Sequence, residues 1–318
     1  MGKPDGKNPL VSIIVPTYNE EADIARTLEA LAALTYRPLE VVVVDASRDR
    51  TPEIVQSYAD RVPNLRIVPQ GPKRGVSVAR NVGLREARGE IVVILNADVF
   101  PEPDFVDRIV PHYASGADYL LVNSRVANVK HTFPRYIQTQ HQYDMAHYAD
   151  QMEWTEGYSC RREAALAVGG FPEVFGRNTA GEDAVFGDRM RSRYRRAADF
   201  SIAVPHVAPV AFREYWHQRL GRGRGGAYRL YAYEKRPMRW GVILRSVLGT
   251  WLLAALLIPA LVHVGRIAPW SPRGRWDVLP LAWARLVEMV AVGAGYWNGC
   301  REIARLGLNQ PPGQDSTA

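Results

Sequence analysis

The chain has 318 residues, 47% hydrophobic and 23% charged, a composition that excludes a disordered polypeptide and allows one large domain or two smaller ones. Its 40 Lys and Arg against 33 Asp and Glu give a formal charge of +7, but the excess is local: residues 1–200 hold 25 basic and 27 acidic side chains, residues 201–245 nine and two, and residues 246–318 six and four. That distribution excludes a uniformly basic nucleic-acid coat, so no nucleic-acid partner is expected. Two cysteines, Cys160 and Cys300, form neither a disulfide framework nor a zinc spacing. The polar N-terminus lacks the apolar core of a secretory signal, so the N-terminal part is expected on the cytoplasmic side.

Along the chain, Val11–Val15 reads as a β-branched strand closed by Pro16, and Asn19-Glu20-Glu21 opens a helix with apolar positions Ile24, Leu28, Leu31 and Leu34. Leu39–Val44 is a second strand, followed by a helix from Thr51; Leu65–Val68 is a third strand, followed by a helix over Ser77–Ala87. Glu90–Leu95 is a fourth strand; a helix after Pro103 leads to a strand at Tyr119–Val126. Continuous apolar strands separated by helices predict an α/β fold with a mostly parallel sheet covered by helices on both faces. Ligands then bind along the C-terminal strand ends.

Residues 127–158 break the rhythm and read as an irregular, substrate-facing insertion. They contain His131, His141 and His147 without a completed metal-ligand set. Ser246–Gly265 carries no Lys, Arg, Asp or Glu; as one helix, kinked at Pro259, it would be about as long as a bilayer core is thick, roughly 30 Å. Val278–Cys300 is a weaker apolar segment whose Arg285 and Glu288 can pair on one helix face. The basic cluster before the first apolar run predicts a membrane partner, with the second segment lying in the interface rather than spanning.

Several segments carry chemistry. The turn Pro16-Thr17-Tyr18-Asn19-Glu20 has no glycine, which disfavours a dinucleotide-binding oxidoreductase. Asp45 closes the second strand in Val43-Val44-Asp45-Ala46-Ser47-Arg48-Asp49, where Asp49 is the better helix cap. Arg74-Gly75-Val76-Ser77-Val78-Ala79-Arg80-Asn81-Val82-Gly83 places a glycine and a helix N-terminus where an anion can bind. Leu95-Asn96-Ala97-Asp98 ends the fourth strand, Gly157-Tyr158-Ser159-Cys160 precedes Gly169-Gly170-Phe171, and Gly181-Glu182-Asp183 opens a helix. His206 follows a further strand, as either a metal ligand or a structural histidine, and Gln218-Arg219-Leu220-Gly221-Arg222 lies beyond it.

In this order the segments strongly resemble the inverting family 2 glycosyltransferases of the GT-A fold, over roughly residues 10–225. The resemblance implies a nucleotide-diphospho-sugar donor held by Pro16, Tyr18, Glu20, Asp45, Arg74, Arg80, Asn96 and Asp98. It implies Mg2+ or Mn2+ at Asp98, with His206 open as a further ligand or a structural histidine, Asp183 with Glu182 supplying the general base, and acceptor or diphosphate contacts at Gly157, Gln218, Arg219 and Arg222. Asn96 departs from the family's paired aspartates and the Asp45 motif is one residue short. Gln218 and Arg222 are four apart with Gly223 following, so the Gln-x-x-Arg-Trp motif of processive relatives is absent and addition of a single sugar is expected. The expected organisation is a polar tail over 1–9, a GT-A domain over 10–230, a basic juxtamembrane stretch and apolar helical hairpin over 231–306, and a tail over 307–318. The implied acceptor is lipid-linked or a cell-envelope polysaccharide, and a homo-oligomer is left open. The competing readings are a nucleotide-sugar nucleotidyltransferase and a non-catalytic membrane scaffold derived from such an enzyme.

Overall fold

The computed structural model describes residues 8–72, 75–175 and 180–309. The chain folds into two compact units that interleave in sequence. The first comprises Met1–Ala127, Glu153–Glu173 and Asp183–Val207; the second comprises Asn128–Met152, Val174–Glu182 and Ala208–Ala318. The second unit thus takes residues from both the GT-A span and the C-terminal span expected from sequence.

In the first unit the chain runs β1 (Val11–Thr17), α1 (Ile24–Ala32), β2 (Leu39–Asp45), α2 (Thr51–Gln56), β3 (Leu65–Pro69), α3 (Val76–Glu86), β4 (Ile91–Ile94), α4 (Phe105–Ala114) and β5 (Tyr119–Val126). After α5 (Thr132–Tyr148), which belongs to the second unit, come β6 (Tyr158–Arg161), α6 (Arg162–Ala167), α7 (Glu182–Arg191) and β7 (Arg196–His206). The seven strands are ordered β3-β2-β1-β4-β6-β5-β7. Only β6 is antiparallel, inserted between β4 and β5; the other pairings are parallel. Val, Ile and Leu fill both faces of the central strands because both are covered. Ile13, Val41 and Val93 share one face with Ile24 and Leu28 of α1 and Phe105 and Ile109 of α4. On the other face α3 presses so close to Ile14 that a Cβ at Gly83 would lie 2.2 Å from Ile14 Cγ2. After β3 the chain returns to the opposite side of β1 to form β4, so the strand order reverses between β1 and β4, the position where open α/β sheets bind ligands.

In the second unit α5 is joined by α8 (Phe212–Ala227), a π-helical turn at Tyr228–Tyr233, α9 (Trp240–Ala255), α10 (Ile258–Ile267), two short 3-10 turns and α11 (Val278–Arg305). Glycines set the α8–α11 distance: a Cβ at Gly223 would lie 2.1 Å from the Val292 carbonyl oxygen, and one at Gly295 2.1 Å from that of Leu220. Buried charges cross-link the bundle. Arg135 Nε pairs with Asp277 at 2.8 Å, and Glu288 accepts from Tyr136, Arg219 and Arg285.

Four expectations are corrected. Residues 127–158 are not irregular, since Thr132–Tyr148 is a 17-residue helix whose first half buries Phe133, Tyr136 and Ile137 at helical spacing. β1 continues through Pro16, which is tolerated because the β1–β4 ladder ends at Ile14. Glu20 and Glu21 precede α1, which begins at Ile24. Ser246–Gly265 is not one helix: α9 and α10 meet at a 74° bend, with Leu257 at φ 60° and Pro259 in the first turn of α10. Among the described residues one helix, Gly274–Arg305, is long and apolar enough to cross a membrane, and the bent pair is a second only if counted as a broken span.

Candidate active site

Three loops gather at the β1/β4 switch point. The loop after β1 and the loop after β2 are stitched together: Asn19 N donates to Ser47 Oγ at 2.8 Å, Arg48 N to Asn19 Oδ1 at 2.9 Å, Glu20 N to Thr51 Oγ1 at 2.8 Å and Glu21 N to Asp49 Oδ2 at 3.2 Å. Asn19 occupies the left-handed region at φ 59°, which Asn tolerates better than most residues. Asp45 accepts from Thr17 Oγ1 and Ser47 Oγ, each at 2.7 Å, and from Ser47 N at 3.1 Å, so its carboxylate is oriented at the strand end before any ligand arrives. Asp49 accepts from Thr51 N and Oγ1 just ahead of α2, whose N-cap position is held by Arg50 and not, as expected, by Asp49. Tyr18 is 45% exposed at the lip.

The third loop follows β4 and is pinned to the end of β7. Phe100 N donates to the Pro205 carbonyl at 2.9 Å, and Val99 bridges His206. This long-range pairing puts His206 beside Asp98. Burial is the largest influence on Asp98 and, helped by the charges of Glu156 and Asp23 and opposed by His206, pushes its carboxyl up to about 6. Burial likewise lifts Glu20 to about 7, reinforced by Asp98, Asp23 and Asp49. The carboxylates therefore repel one another at the switch point. His206 is buried, with Nδ1 3.2 Å from Ser124 Oγ.

Against the third loop, Arg80 is 3% exposed and donates to Asn96 Oδ1 at 3.2 Å and Thr155 Oγ1 at 2.9 Å, with its guanidinium 5.1 Å from the Phe171 ring. Its neighbour Asn81 clasps the Gly-Gly-Phe turn, accepting from Phe171 N and donating to the Phe171 carbonyl, each at 2.8 Å. Gly170 sits at φ 65° with room for no Cβ, which would lie 2.4 Å from Asn81 Oδ1. Phe171 stacks on Phe186 of α7 at 4.1 Å, and Arg189 of α7 donates to the Gly170 carbonyl at 3.1 Å. The helix that carries Asp183 is thus anchored to the turn that α3 holds. Asp183 lies in the first turn of α7, where the helix dipole favours a carboxylate, and accepts from Ala184 N at 2.8 Å. Glu182 is buried and falls in the second unit. Gly157 has φ 75°, and a Cβ there would lie 2.4 Å from Val204 Cγ2. Its place is fixed by packing.

On α8, Arg219 is 1% exposed and pairs with Glu288 at 3.0 Å, so it does not face a ligand as expected but serves the helical packing. Arg222 is half exposed, 4.0 Å from Glu288. Gln218 lines a cavity of about 600 Å³ with Arg213, His217 and Arg224. Arg74 lies outside the described residues. Sequence reasoning missed Glu156 and Asp23, whose charges act on Asp98; neither stands in a motif, although Glu156 adjoins Gly157.

Carboxylates gathered at the switch point of a mostly parallel sheet define an α/β protein of the class that takes ligands at its strand ends. The Glycosyl transferase family 2 profile matches residues 12–171, half of the chain, and the chain belongs to that family. The β-monoglucosyldiacylglycerol synthase of Synechocystis sp. is 29% identical over 322 residues, covering 94% of this chain and 64% of that protein. The undecaprenyl-phosphate 4-deoxy-4-formamido-L-arabinose transferase of Pseudomonas aeruginosa is 36% identical over 114 residues, 34% of this chain and 34% of that protein. The chain spans less than two thirds of the length of these curated relatives. Among solved structures, the mannosyltransferase PcManGT from Pyrobaculum calidifontis, in complex with GDP-Man and Mn2+, matches with a TM-score of 0.58 at 24% identity, covering 96% of this chain and 86% of that one. That likeness shows the fold, which is of the GT-A type.

Proposed function

We propose that the protein transfers a single sugar from a nucleotide-diphospho-sugar to a lipid or lipid-linked acceptor at a membrane, with inversion and with its first unit on the cytoplasmic side. The observation that carries this reading is the electrostatic coupling of Asp98 to Glu20 on one side and to His206 on the other, at the β1/β4 switch point. The names of the two curated relatives, one a glycolipid synthase and one an undecaprenyl-phosphate transferase, support the acceptor class. The GDP-Man of the structural neighbour supports the donor class.

In this reading Asp45, already oriented by Thr17 and Ser47, accepts from the nucleobase edge, with Pro16 and Tyr18 forming the adjoining wall and Arg74 near the phosphates. Arg80 holds Asn96 toward the ribose. Asp183 takes the proton of the acceptor hydroxyl while that oxygen forms its bond to the anomeric carbon and the bond from that carbon to the diphosphate oxygen breaks, releasing nucleoside diphosphate. Glu182 helps seat the first turn of α7, and within the first unit Gly157 borders the acceptor side. Asp98, with His206, would hold a hard divalent cation such as Mg2+ or Mn2+ only together with substrate phosphates and water, since among the described residues no three His, Cys, Asp or Glu converge on a metal position. When bound, the ion would neutralise charge on the departing diphosphate.

The test is a panel of nucleotide-sugars with lipid acceptors and the detergent-solubilised full chain. Acceptor-dependent release of nucleoside diphosphate is expected, and release of pyrophosphate would instead indicate a nucleotidyltransferase. Asp183→Asn should bind donor unchanged by calorimetry while transfer falls by about 10²–10⁴-fold. Near-normal transfer by this variant removes Asp183 from the base role.

A further inference from the structure

The apolar surface of the molecule is concentrated in one place. Sixteen of the twenty-two exposed large apolar side chains among the described residues fall between Trp240 and Trp283. α9 buries only Ile243, Val247 and Ala254 and α10 only Ala260, Val264 and Ile267, with Trp251 bonded to the Val290 carbonyl, Trp240 edge-on to Trp297 and His263 bonded to Gln140 as further anchors. Their outward faces are not polar, as they would be in water, but are led by Leu252, Leu256 and Ile258, which are 64%, 54% and 64% exposed. The two helices contain one charged residue each, Arg245 and Arg266. Residues 235–276 as a whole hold seven basic and no acidic side chains. Trp240, Trp270 and Trp276, exposed beside these arginines, are residues that favour the membrane–water boundary.

The geometry argues against a crossing. A span needs about 20 residues in line, whereas α9 has 16, α10 has 10, and they diverge by 74°. If both arms enter from one surface, each is inclined by half the bend. The arm from Arg245 to Leu256, about 17 Å long, then carries the elbow about 10 Å deep, within one leaflet. α11 is long and apolar enough to cross, but it is engaged inside the protein. Its apolar window is 44% buried within the protein, and Arg285 and Glu288 at its middle are committed to a polar network with Tyr136 and Arg219.

We infer that the α9–α10 elbow is an in-plane wedge that inserts into one leaflet of an anionic bilayer, with flanking arginines on the headgroups and α11 as the internal support of the wedge rather than a transmembrane helix. This rests on the membrane-directed part of the proposed function and specifies its mode. The occupant is lipid because the apolar tip is rimmed by basic charge and tryptophan, complementary to an anionic surface.

The test uses the full chain with no sugar donor or acceptor present, so failure of the sugar-transfer reading leaves its outcome unaffected. In flotation with phosphatidylcholine vesicles containing phosphatidylglycerol, Leu252→Asp/Leu256→Asp/Ile258→Asp should lower partitioning at least tenfold. Arg239→Glu/Arg273→Glu should lower it on anionic but not on neutral vesicles. In wild type, bromines near the headgroup should quench tryptophan fluorescence more than bromines at the chain ends, a measurement independent of how the variants fold. Unchanged flotation of the triple variant overturns the inference. So does stronger quenching by chain-end bromines, which would indicate a span, or a lipid-free dimer dissolved by the triple variant, which would make a second copy the occupant.

Discussion

Glu153 shows how burial sets a side chain's chemistry against its neighbours. Its side chain is 3% exposed, pressed by α7 at Gly187, and lies 3.8 Å from Arg191 and 3.9 Å from Arg196. Burial outweighs both arginines and pushes its carboxyl up from 4.5 to about 7. The folded protein therefore binds this proton more tightly than the unfolded chain does. The resulting stabilisation is fully present below about pH 4.5 and is lost as the pH rises through about 7. Glu153→Gln, neutral throughout, is expected to remove that component, giving a shallower fall of Tm across this window than wild type. Equal slopes would assign the effect to other carboxyls. Asp98 and Glu20 shift in the same direction and again mainly through burial, with neighbouring carboxylates adding to it.

At the scale of elements, the clasp between α3 and the Gly-Gly-Phe turn has an arithmetic of its own. Gly170→Ala adds a Cβ against Asn81 Oδ1 at a left-handed backbone and is expected to cost about 2–4 kcal/mol. Asn81→Ala leaves the buried Phe171 N–H and carbonyl unpaired, at about 1–3 kcal/mol each. Because Asn81→Ala also removes the atom that the new methyl meets, the double variant should be less destabilised than the sum of the singles. Additive losses in a denaturation cycle would show that the clasp is not the cause. The same elements show what sequence makes legible. β1, β2 and β5 announce themselves as β-branched runs, and the carboxylates at Asp45 and Asp98 as strand ends followed by polar turns. β6 did not, because its four residues gain their antiparallel place only from β4 and β5. α5 was obscured because only its first half is buried. Pro259 signals a break in the apolar run but not its 74° size. His206 meets Asp98 through pairing between chain segments a hundred residues apart, which no local pattern encodes.

At the scale of the whole molecule, neither unit is a contiguous stretch, since the chain passes between them after Ala127, Met152, Glu173, Glu182 and Val207. No single cut isolates either unit. The family profile ends at Phe171, yet β7, which begins at Arg196, pairs with β5 along all of Tyr119–Val126. A fragment stopping at Phe171 would expose the whole outer edge of β5, a template for strand-to-strand association. Such a fragment is expected to aggregate in sedimentation experiments, whereas soluble, folded monomer would show that the β5–β7 ladder is dispensable. The limit of family resemblance and the limit of autonomous folding thus fall in different places. Anyone minimising this protein, or grafting its switch-point loops onto another scaffold, must carry the chain through at least His206, because the strand that closes the sheet is also the one that delivers the imidazole to Asp98.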